Sequence, residues 1–236
     1  MYTFCYWFLL YFMYCVLGYI LECTFCSIID KKIVLNRGFL IGPYLPIYGK
    51  GAICIILLLN KYLKDPVVLF VMAALIATIL EYFASYFMEK IFKARWWDYS
   101  NHKLNLNGRV CFTNTVLFGI GGVVIMYLIN PFFTSLIGLL GKTATIVLGI
   151  IFFVIYEADS AISIITTYKL RKTSITMKKD MSSEIKAEVR ESVLKNSYFK
   201  KRLLNAFPKL KNNSLFDQIK DILNKKAWFI SIFNVY

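Results

Sequence analysis

The sequence predicts an all-α integral membrane protein with five transmembrane helices and a helical cytoplasmic tail. Three observations carry that prediction. Of 236 residues, 58% are hydrophobic, 17% aromatic and only 18% charged, against about 25% charged in a soluble domain. Several apolar runs exceed the roughly 20 residues that cross a bilayer as helix. The net charge of +14 is not spread evenly: sixteen of the 28 Lys and Arg follow Tyr168 and the rest cluster in loops. That is the pattern of cytoplasmic membrane flanks and argues against a nucleic-acid partner.

Residues 2–29 form one apolar run broken only by Glu22, the first span. It begins at Met1 without a basic leader and outruns a signal peptide, so it is expected to stay in place. Asp30, Lys31, Lys32 and Arg37 close it. The second span, about 40–60, opens with Gly42, Pro43, Pro46, Gly49, Lys50 and Gly51. Pro and Gly oppose regular helix here, and irregular backbone at membrane depth survives only inside protein or beside a wet cavity, so a discontinuous or re-entrant start is predicted. Lys50 then lies within the membrane, or snorkels to the interface if the helix starts later.

The third span, about 67–92, surrounds Glu81. A loop with Trp96, Trp97, Asp98 and Tyr99 follows, and its aromatics suit the headgroup layer or a fold back on the bundle. The fourth span, about 110–129, carries Gly119, Gly121 and Gly122 for close helix contact and is expected to break at Asn130 and Pro131. The fifth, about 143–168, carries Glu157 and Asp159. Gly141-Lys142-Thr143 looks like the end of a phosphate loop, but Leu136 stands where its first glycine belongs. The tail, 169–236, is basic, with two amphipathic helices capped near Ser182 and Ser214 that suit anionic lipid or a partner.

More Lys and Arg sit after the first and third spans than after the second and fourth, which places the N-terminus outside and the tail inside. The six cysteines lie mostly in apolar runs and read as small hydrophobes; Cys23-x-x-Cys26 has no second pair, so neither metal nor other cofactor is expected. Glu22, Glu81 and Glu157 each sit deep in an apolar run. An exposed carboxylate there costs about 2.5–3.5 kcal/mol, so all three are expected to face the bundle interior. Asn36-Arg37-Gly38 finds a counterpart in Asn107-Gly108-Arg109, and Gly49-x-Gly51 in Gly119-x-Gly121. A parallel duplication of a two-span hairpin accounts for both.

The stretches NRGFLIGPYLPIYGKGA (36–52), LEYFASYFMEKIFKARWWDYS (80–100) and NLNGRVC (105–111) resemble the bacterial ABC-transporter type IV family of CmpB-like permeases. Two departures stand out: Leu45 replaces an expected cysteine and Lys50 an expected aromatic. The resemblance implies a multi-pass protein of the bacterial cytoplasmic membrane, working as a permease with a separate ABC-type ATPase.

The site expected from these readings is a carboxylate-lined pathway of Glu22, Glu81 and Glu157 with Asn36, Arg37, Pro43, Pro46, Tyr48, Lys50, Asp98, Asn107 and Arg109, handling a small polar or amphipathic substrate. The alternative is a membrane-embedded enzyme or a lipid-binding scaffold at the cytoplasmic leaflet. In the enzyme, Asp98, Glu89, His102 and Arg109 would supply acid, base and anion-binding groups. No nucleophile-base spacing supports the enzyme, and a homo-oligomer fits either reading.

Overall fold

The computed structural model describes residues 1–31, 33, 38–92 and 97–178, with backbone alone for 29, 30, 92 and 169–178. Asn36, Arg37 and both tail helices lie outside the described residues. Helix α1 (Tyr2–Asp30) is followed by an irregular segment, 38–45, and the short α2 (Pro46–Leu59). A 3-10 turn (Asn60–Tyr62) leads to α3 (Pro66–Phe92). The two-residue strands β1 (Asn105–Leu106) and β2 (Val110–Cys111) make a hairpin, from which α4 (Phe112–Val124), α5 (Asn130–Leu139) and α6 (Gly141–Lys178) continue the chain.

Among the described residues, four stretches are long and apolar enough to cross a membrane: Tyr2–Ile28, Pro66–Ile91, Phe112–Leu139 and Gly141–Tyr168. The first is the most enclosed, 44% buried against 22% or less for the others. α1 is therefore the central helix, packed on α2, α5 and α6, while α3 pairs with α4. The second expected span is present only in part. α2 has 14 residues, or about 21 Å of helix against a hydrocarbon core of about 30 Å. The irregular start predicted from Pro43 and Gly42 is there, and Pro46 occupies the first turn of α2, where its missing N–H costs nothing.

Pro131 does not end the fourth helix, as its position suggested it would. Between Ile125 and Ile129 the helix widens into a π turn, with the Asn130 N–H bonding to the Ile125 carbonyl. This shift of register accommodates the proline ring, and the Thr134 hydroxyl donates to the Asn130 carbonyl at 2.9 Å. Residues 130–139 thus extend the fourth apolar helix. The break falls at Gly141, whose φ of +69° lies in the left-handed region.

Asp65 starts α3 by accepting from the N–H groups of Val67 and Val68, both at 3.1 Å, with Pro66 behind it. The core joins Leu9, Leu10 and Tyr14 of α1 to Ala52, Ile55, Ile56 and Leu59 of α2, Leu69 and Ala73 of α3, Met126 and Ile137. Close approach depends on glycine: a Cβ on Gly122 would fall 2.2 Å from that of Ala73, and one on Gly149 2.6 Å from that of Cys5. Gly121 faces open space.

Candidate functional site

Irregular backbone inside a membrane must find partners for its polar groups, and in segment 38–45 the partner is Asp159. Its Oδ1 accepts the Ile41 N–H at 2.8 Å and the Ser163 hydroxyl at 3.0 Å. Its Oδ2 accepts the Gly42 N–H at 2.7 Å and the Tyr44 hydroxyl at 2.6 Å. Four donors saturate one buried carboxylate, the condition under which a buried charge is tolerated. The Leu45 N–H reaches the Cys15 carbonyl at 2.9 Å, pinning the same segment to the middle of α1.

Glu157 does not face the interior, contrary to expectation. It is exposed, and Asp159 holds the inward position. The reason is helical register. Thr145, Gly149, Asp159, Ser163 and Thr167 are buried, with Phe152 and Tyr156 half-buried among them, a stripe at three- and four-residue spacing. At about 100° per residue Glu157 falls well off that stripe. The small and polar residues of the stripe were the available signal for Asp159.

The other two glutamates do turn inward. Glu22 is half-buried, and its Oε2 accepts from the Tyr48 hydroxyl of α2 at 3.0 Å. The Cys26 thiol lies 3.5 Å from its Oε1. Glu81 is 7% exposed; its Oε1 accepts from the Tyr99 hydroxyl at 3.1 Å, and its Oε2 is buried with no hydrogen-bond partner among the described residues. Asn114 of α4 donates to the Tyr99 oxygen at 2.7 Å. Burial above all, then the negative charge of Glu81 and behind it that of Glu22, raises the Tyr99 pKa above the ordinary phenol value. Tyr99 therefore stays protonated and donates to Glu81 while it accepts from Asn114.

Tyr99 reaches this depth because its loop folds back on the bundle. Asn107 and Gly108 both have positive φ, 54° and 66°, and turn the β1–β2 hairpin with the Arg109 N–H closing on the Leu106 carbonyl at 3.0 Å. The Tyr99 N–H then bonds the Gly108 carbonyl at 2.8 Å and the Trp97 indole the Arg109 carbonyl at 3.0 Å. Asn-Gly is a strong hairpin signal that the sequence reading passed over. Asp98 accepts from the N–H and hydroxyl of Ser100, shaping the turn locally.

Arg109 is half-buried, paired with Glu89 at 2.8 Å and donating to Ser85 at 3.3 Å. Asn107 donates to the Tyr82 hydroxyl at 3.1 Å. Pro43 and Lys50 are exposed. The structure thus gathers Glu22, Tyr48 and Glu81 around Tyr99 and Asn114, keeps Arg109 with Glu89 a turn or two further along α3, and leaves Lys50 and Glu157 outside. Five cysteines are buried and Cys54 is partly exposed; all six are free thiols.

Neither the curated proteins nor the solved structures offer a match to this chain. Its residues 9–164, which include the β1–β2 hairpin and Asp159, match the model of the family described as Putative ABC-transporter type IV, and the chain belongs to that family.

Proposed function

We propose that this chain is the membrane-spanning permease subunit of a transporter, with a translocation path that passes Glu22 and Glu81 and with energy supplied by a separate ATPase. The observation that carries the reading is the pair of glutamate–tyrosine contacts, Glu22 with Tyr48 and Glu81 with Tyr99, meeting in one place inside an apolar bundle. Carboxylates are retained at such depth when they serve a path, a proton or a ligand. Pro43, Pro46 and the rest of segment 38–45 form its irregular wall, and Asp98, Asn107 and Arg109 belong to its hairpin end. The substrate class is small and polar or amphipathic. In this reading the protein sits in the bacterial cytoplasmic membrane with five crossings, α2 and segment 38–45 together making the second.

The duplication proposed from sequence is part of the reading and has support from packing. Gly49 packs on Tyr11 and Gly119 on Phe70; each ring stands eleven residues before the glutamate of its own hairpin. Equivalent glycines meeting equivalent aromatics is what a repeated hairpin would produce.

The test is to pull the tagged protein from its native membrane in mild detergent, identify a co-purifying ATPase, and reconstitute both. Glu22→Gln and Glu81→Gln should accumulate in the membrane at normal levels and abolish substrate-stimulated ATP hydrolysis. If the variants fail to accumulate, the glutamates are structural ties and the path lies elsewhere. If no ATPase co-purifies, the permease reading fails.

A further inference from the structure

A second site lies about one and a half to two and a half turns beyond Glu81, where α3 leaves its apolar stretch. We propose that the pocket of Tyr86, Glu89, Lys90 and Arg109 binds the phosphodiester of a membrane lipid headgroup. Its volume is about 300 Å³. Because the apolar stretch of α3 ends at Ile91, these residues stand at headgroup depth, where tyrosine and cationic side chains concentrate.

Arg109 is brought there by the β1–β2 hairpin and held rigidly. One terminal nitrogen pairs with Glu89 at 2.8 Å and the other donates to Ser85 at 3.3 Å. The guanidinium carbon lies 5.8 Å from the Tyr82 ring centre and 5.5 Å from that of Tyr86. A guanidinium has five N–H donors, so these two contacts leave several for an anion. Lys90 stands over the same Tyr86 ring, its Nζ 5.8 Å from the ring centre, and makes no ion pair among the described residues.

Charge selects the ligand. Among the described residues, two cations and one carboxylate line the pocket, a surplus of one positive charge that a singly charged phosphodiester neutralises. Free inorganic phosphate carries more negative charge and, unlike a lipid, is not concentrated at this depth. The Tyr86 hydroxyl adds a neutral donor. Neither Glu22 nor Glu81 lines the pocket, and Arg109 is the one residue it shares with the hairpin end of the proposed path.

The experiment uses the full-length protein in mild detergent, offered phosphatidylglycerol, diacylglycerol with the same chains, or phosphatidylglycerol with excess inorganic phosphate. Native mass spectrometry counts the retained lipid. One phosphatidylglycerol should be retained and diacylglycerol should not. Lys90→Gln and Tyr86→Leu, both at exposed positions, should each lower retention about tenfold, as loss of one strong contact to an anion does. Lys142→Gln, at an exposed lysine beside the Gly141 turn, should leave it unchanged. The proposal is overturned if the two pocket variants retain lipid as the wild type does, if Lys142→Gln loses it equally, if diacylglycerol is retained as well, or if inorganic phosphate displaces the lipid.

Discussion

Asp159 and Glu157 stand two positions apart on one helix and have opposite fates. Asp159 accepts four hydrogen bonds, three from Ile41, Gly42 and Tyr44 of the irregular segment and one from Ser163 of its own helix, whereas Glu157 is exposed. Asp159→Asn replaces one acceptor oxygen with a donor, so at least one buried N–H or hydroxyl loses its partner, at a cost of about 1–3 kcal/mol for each group stranded. Thermal unfolding of the purified protein should drop by several degrees for Asp159→Asn, while Glu157→Gln should stay within about 0.5 kcal/mol of wild type. Equal effects would mean that the anchor is not at Asp159. Tyr99→Phe should also destabilise, because Glu81 and Asn114 both lose a partner. That loss depends on pH with a definite sign. Tyr99 has a raised pKa in the folded protein, so its stabilising effect is complete below the ordinary phenol value of about 10 and fades as pH rises above it. The stability difference between wild type and Tyr99→Phe should shrink as pH rises above about 10.

Among the elements, the helix pairs depend on which glycine faces its neighbour. Gly119 and Gly122 are buried against Phe70 and Ala73, and Gly121 between them meets nothing. Gly122→Leu should therefore force α3 and α4 apart and cost about 1–3 kcal/mol, while Gly121→Leu, pointing outward, should be tolerated. Detergent melting of the two variants separates the cases; similar melting would place the α3–α4 contact on another face. All three glycines were visible as candidates for close packing, but their roles were not, because the register of a helix against its neighbour is set by both helices together. The π turn before Pro131 was likewise not visible. Proline signals a break, and the widened turn, with the Asn130 N–H on the Ile125 carbonyl, lets the helix continue past it.

For the whole molecule the number of crossings turns on α2. Its 14 residues are too few alone, and the eight residues of segment 38–45 supply the remaining reach if they run through the membrane rather than back out of it. With five crossings the two termini lie on opposite sides; with α2 re-entrant they lie on the same side. Reporter tags at Met1 and Tyr236 should read the N-terminus outside and the C-terminus inside, as the distribution of Lys and Arg predicts. Both tags reading the same side would make segment 38–59 a re-entrant hairpin and remove one crossing from the fold.

Composition, run length and the placement of Pro and Gly were enough to determine that this is a helical membrane protein with an interrupted second segment, because the bilayer imposes those constraints locally and one segment at a time. The same local logic identified Glu22 and Glu81 as residues that must turn away from lipid. Tertiary structure alone decided what they turn toward. Tyr99 comes from a loop, Asn114 from the next helix and Tyr48 from the short one, and such pairings depend on contacts between residues far apart in the chain, which no periodicity within a single segment encodes. Asp159 shows the limit most plainly: an acidic residue in an apolar run announces a cost, but which of two neighbours meets the partners that offset it is settled by the rotation of α6 against α1 and the irregular segment.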